Sequence, residues 1–134
     1  MDLSNSIIIS AELPGLTKME NARRSSDLLN DILDIVVFDG TVIPCYGVYK
    51  GVPEQSYLVH TENLLVMLNV AYLGTKYEQE CVLIIAEDNE AEIIHCPPAD
   101  NESHYTLEFH TDEPEGDYTE ILGEYFTLVP VTGH

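Results

Sequence analysis

The residues best suited to chemistry in this sequence are carboxylates and phenols grouped at what read as strand ends. Tyr46 and Tyr49 flank the exit of one apolar run, Glu54 opens the next, and Tyr77-Glu-Gln-Glu80 directly precedes a third. The chain's acidic excess surrounds this cluster with a field that attracts cations. Taken singly, each has a plainer reading: Glu54 as a solvated turn carboxylate, Tyr46 as a half-buried strand aromatic, Gln79 and Glu80 as exposed turn residues. Other chemistries leave no mark. The sequence has no Walker loop, dinucleotide fingerprint or nucleophile elbow, and Gly47 and Gly51 lack the spacing that cradles a pyrophosphate. Cys45, Cys81 and Cys96 are odd in number with no CxxC pair and read as reduced packing residues. His95-Cys96, His104 and His110 fit no zinc spacing, so neither a metal nor a cofactor is expected.

Strands and two helices must position these groups. Ile7-Ile-Ile-Ser-Ala11, ended by Pro14-Gly15, reads as a first, central strand. Thr17-Lys-Met-Glu20 has capping-box spacing and opens a helix whose apolar face is Leu28, Leu29, Ile32, Leu33 and Val36. Val42 to Val48 and Gln55 to Val59 read as the next two strands, with Pro44 placing the first at an edge or bulge. Thr61 is the expected cap of a second helix with a core stripe of Leu64, Leu65, Leu68, Ala71 and Tyr72, stopped near Gly74. Cys81–Ile85 and Ala91–His95 complete a βαββαββ order. That order predicts an α+β, ferredoxin-like antiparallel sheet with both helices on one face and the polar strand ends gathered at one rim. Tyr105 to His110 and Glu124 to Val131 read as extra C-terminal strands, and the acidic stretch from Thr111 to Glu120 as a mobile loop. The 134 residues read as one domain, 1–134, with a core over 1–97 and an acidic extension over 98–134.

Twenty-four acids against five bases give a formal charge of −19, and all five bases lie before Tyr77. Such a field opposes direct nucleic-acid binding and draws in cations. Its plainest role is solubility. No apolar run approaches the ~20 residues that span a bilayer, and the start MDLSNSIIIS lacks the pattern of a secretory signal, so a cytoplasmic protein is expected.

Leu68-Asn-Val-Ala71 followed by Tyr77-Glu-Gln-Glu-Cys-Val-Leu83 resembles the second helix and next strand of phage-encoded S-adenosylmethionine-cleaving enzymes, named hydrolases and later lyases. Ser10-Ala11, Asn21 with Arg24, Cys45-Tyr46 and the Glu54-led strand follow in the same order, so the likeness spans roughly residues 7 to 95. The resemblance implies a lyase that needs no cofactor, closes the substrate's own carboxylate onto its γ-carbon, and releases 5′-methylthioadenosine and L-homoserine lactone; direct hydrolysis is the alternative. It further implies a homotrimer of ferredoxin-like, PII-related subunits with sites between neighbours, depletion of S-adenosylmethionine in the host cytoplasm, and opposition to restriction and methylation. Carried onto this chain, the catalytic pair is Tyr46 and Glu54, with Tyr49 as the rival tyrosine. Tyr49, Gln79, Glu80 and Ser10 are then substrate-binding. Arg24 reads as a helix residue paired with a neighbouring acid, since a firm grip on the substrate carboxylate would immobilise the nucleophile. Two other classes fit: an acidic DNA mimic that occupies a basic protein without turnover, and a PII-like sensor that binds S-adenosylmethionine intact.

Overall fold

The computed structural model describes residues 2–37, 39–96 and 103–131. Eight strands and two helices run in the order β1 (Ser6–Ser10), α1 (Lys18–Ile35), β2 (Thr41–Tyr49), β3 (Val52–His60), α2 (Leu64–Lys76), β4 (Cys81–Ile85), β5 (Glu90–His95), β6 (Ser103–His110), β7 (Tyr118–Ile121) and β8 (Glu124–Pro130). The strands form a closed barrel in the order β1-β3-β2-β7-β8-β6-β5-β4, every neighbouring pair antiparallel. This corrects the expected open ferredoxin-like sheet. The sheet does not end at β2 and β4, because β7 pairs with β2 and β5 with β4, and β6 and β8 join those two arms. The stretch from Thr111 to Glu120, read as a loop, contains the start of β7.

Closure divides the apolar residues into two cores. Outside the barrel, Ile7, Ile9, Val59 and Val82 meet Leu28 and Ile32 of α1, Val36 at its C-cap, and Met67, Val70 and Leu73 of α2. Inside it, Ile8, Cys45, Leu58, Ile85, Ile121 and Phe126 pack together. Period-two alternation sends adjacent residues of one strand to different cores, which is why all five residues of β1 are buried.

The Thr17–Glu20 capping box forms, with Glu20 N–H donating to Thr17 Oγ1 and Thr17 N–H to Glu20 Oε1, both at 3.1 Å. The second helix departs from its expected setting. Asn63, not Thr61, caps it: Asn63 Oδ1 accepts from Leu65 N–H at 3.0 Å and Val66 N–H at 3.3 Å. Met67, Val70, Leu73 and Gly74 face the core, whereas Leu64, Leu65, Leu68 and Tyr72 are exposed. Gly74 is required by close approach, since a Cβ there would stand 2.6 Å from Cys96 Sγ and 2.8 Å from Val82 Cγ1.

Candidate active site

A cavity of ≈690 Å³ opens at the end of the barrel where β1 finishes and β4 begins, within the range that small-molecule sites occupy. Its apolar wall includes Ile8, Leu83, Ile93, Tyr105, Phe126 and Leu128. Its polar lining carries five carboxylates, on Glu12, Glu54, Glu78, Glu80 and Asp117, against the single ammonium of Lys50.

Strand parity explains which predicted residues arrive there. Leu58 faces the interior, so Ser56 and Glu54, at steps of two along β3, face it as well. On β2, Cys45 is interior, which turns Gly47 and Tyr49 inward and Tyr46 outward. Ser10, Tyr49, Glu54, Gln79 and Glu80 all line the cavity. Tyr46 does not; it sits opposite Gln55 and Glu120 with 43% of its surface exposed.

The lining residues divide by what already holds them. Ser10 Oγ donates to Gln55 O at 2.8 Å and accepts from Glu12 N–H at 3.2 Å. The buried Gln79 amide donates to Glu12 O at 3.1 Å and Tyr77 O at 3.3 Å. Both side chains thus tie the end of β1 to its neighbours, and the Gln79 N–H is spent on protein carbonyls. Arg24 joins this framework: its guanidinium donates to Ala11 O at 2.6 Å and to Tyr77 O, and lies 3.6 Å from Glu78. The acid it meets belongs to the segment after α2, far along the chain, and not to its own helix.

Glu54 is different. Burial pushes its carboxyl up to about 7, and the nearby Glu12 carboxylate adds to that rise. Glu12 itself accepts a hydrogen bond from Gln55 N–H. Tyr49 is pushed up to about 12, first by burial and then by the neighbouring Cys81 and Glu80. Across the opening, Lys50 Nζ donates to Glu80 Oε1 at 3.1 Å and lies 5.3 Å from the centre of the Tyr49 ring. The site therefore offers carboxylates and a ring around an apolar hollow, a setting for a cation with an apolar body.

Residue-type reasoning missed Glu12, Lys50 and Asp117. Glu12 follows Ser10 by two at a strand end, and that parity was the available signal. Lys50 and Asp117 meet only because β7 closes on β2, a contact no local pattern announces.

A family model described as the S-adenosylmethionine lyase family matches residues 7–129. The chain belongs to that family. The match to the S-adenosylmethionine lyase family runs past residue 95, where the sequence resemblance stopped, and takes in β6, β7 and most of β8. Among curated proteins, none matches the chain. No helix among the described residues is long and apolar enough to cross a membrane.

Proposed function

We propose that this protein cleaves S-adenosyl-L-methionine by intramolecular displacement, yielding 5′-methylthioadenosine and L-homoserine lactone. A carboxylate oxygen of the substrate bonds to its own γ-carbon while the γ-carbon–sulfur bond breaks. The electron pair leaves with sulfur, the sulfonium becomes a neutral thioether, and no proton is transferred. The nucleophile and the leaving group are both within the substrate, so the protein's task is to hold a flexible chain in line. That alignment is worth roughly 7–11 kcal/mol in well-oriented intramolecular reactions.

Family membership supports the substrate class, and the observation that carries the assignment is Glu54, a half-buried carboxylate facing an apolar cavity. Its elevated pKa makes it a poor anion when the site is free and a good partner once the substrate ammonium arrives, because the incoming charge drives off the proton. Tyr49 is the tyrosine we assign to the alkyl chain and sulfonium, with Glu80 beside it. A tight grip on the sulfonium alone would slow the reaction, since that charge vanishes as the bond breaks. Positioning is the more productive role. Ser10 and Gln79 act through the β1 end that they brace. Tyr46, on the outer face, belongs to a site only if a neighbouring subunit of a homotrimer brings its cavity there. In a host cytoplasm, such turnover would drain the methyl donor on which methylation and restriction depend.

Incubating the pure protein with S-adenosylmethionine and following the adenine-containing products tests the reading. Methylthioadenosine and lactone should appear together, with homoserine only later. Oxygen-18 from water in the γ-hydroxyl of the first product would establish direct hydrolysis instead. Intact substrate after hours, with tight salt-sensitive binding to a basic DNA-binding protein, would favour the acidic mimic that the −19 charge also suits.

A further inference from the structure

The turn between β2 and β3 carries the only base that lines the cavity among the described residues, and a segment distant in sequence holds its backbone. Lys50 and Gly51 both have positive φ, 51° and 77°, and Tyr49 stands opposite Val52, so the two make a tight two-residue hairpin turn. A lysine seldom takes that backbone region. Asp117, from the segment leading into β7, holds it there, accepting Lys50 N–H at 2.9 Å and Gly51 N–H at 3.1 Å. From this base the side chain reaches to 3.1 Å from Glu80 Oε1 and 5.3 Å from the centre of the Tyr49 ring. One carboxylate and one aromatic face around a single cationic centre is what a sulfonium or ammonium ligand would itself seek.

We propose that Lys50 is a tethered competitor for the cation subsite formed by Tyr49 and Glu80, displaced when the sulfonium of a substrate enters and returning once that sulfur has become a neutral thioether. This rests on the reading that the substrate is a sulfonium. The consequence is selective. A cationic ligand offers Glu80 and Tyr49 a replacement for the ammonium it evicts, whereas the neutral thioether left after cleavage offers none. The lysine then resumes its place and favours release. Because the subsite is occupied in the free protein, apparent affinity is reduced by the fraction of time Lys50 spends there.

Removing the competitor should tighten substrate binding. In Lys50→Met the KM for S-adenosylmethionine should fall about two- to fivefold, the scale of an exposed ion pair, while Lys50→Arg, which keeps the cation, should retain the wild-type value. A KM in Lys50→Met equal to or above wild type overturns the proposal. So does an equal fall in Lys50→Arg, which would make the effect one of shape. If the wild-type protein does not turn over S-adenosylmethionine, the lyase reading fails by itself. The competitor is then judged by calorimetry with S-methylmethionine, a sulfonium without the nucleoside: tighter binding to Lys50→Met than to wild type supports it, and equal or weaker binding overturns it.

Discussion

On the helix side of β1 and β3, Ile7, Ile9 and Val59 meet Leu28, Ile32 and Val70, all fully or almost fully buried. One residue along the same strands, Ile8, Ser10, Ser56 and Glu54 look into a cavity with an acidic mouth. The backbone is shared and the environments are opposite. The helix side buries these six apolar side chains against one another, away from water. The barrel side leaves space and keeps a carboxylate where burial disfavours its charge. Fold stability and ligand chemistry are thus assigned to alternate residues of one strand, and substitutions should separate them.

The largest expected effect is on the dry side. Ile32→Ala removes most of a fully buried side chain between α1 and the sheet and should cost about 2–5 kcal/mol in denaturant unfolding. KM measured well below the melting temperature should stay within twofold of wild type; a larger change would mean that the two faces are coupled. Gly74→Ala should cost about 1–3 kcal/mol, because its methyl group must displace Cys96 and Val82. On the wet side, Glu54→Gln should lower turnover at least tenfold, about 1.4 kcal/mol or more, with the oligomeric mass unchanged. Wild-type rates in that variant would remove Glu54 from the site.

The same substitution has a second, opposite consequence for stability. Glu54 holds its proton more tightly in the folded chain (pKa about 7) than in the unfolded one (about 4.5). That advantage is complete below pH 4.5 and is lost as pH rises through about 7. Glu54→Gln cannot ionise, so it should melt a few degrees above wild type at pH 8 and at the same temperature at pH 4, the gain trimmed by the solvent that reaches the group. Activity should also rise with pH through about 7 in wild type, as ionised Glu54 becomes available. The smallest effect concerns neither face: Thr17→Ala removes one side of the capping box and should cost about 1 kcal/mol by thermal melting.

How legible all this was depended on range. The first helix could be read because its signals are local and amphipathic: a capping box, then Leu28, Ile32 and Val36 at steps of four. The second could be found but not oriented. From Leu64 to Thr75 it has no charged residue, so no polar face marks the outside, and of the expected stripe only Ala71 packs against the core while Leu64, Leu65, Leu68 and Tyr72 are exposed. Glu54, Tyr49 and Glu80 were visible as polar residues at strand ends, and alternation then carried Glu54 and Tyr49 to the cavity. Tyr46 fell on the opposite parity. Closure of the barrel was out of reach, because it turns on β7, whose Tyr118–Ile121 segment is short and set in acidic surroundings that read as loop. Its partners on β2 are some seventy residues away, and nothing in either segment names the other.

A ring of eight strands in which each has a neighbour on both sides leaves no complete row of main-chain donors and acceptors facing water. Among the described residues, copies of the chain therefore have no whole edge through which to extend the sheet into one another, only partial stretches such as the half of β2 beyond its pairing with β7. Assembly of several copies would have to rely on side chains meeting across surfaces such as the bare leucines and tyrosine of α2, and runaway fibre growth by edge addition is discouraged by the architecture itself.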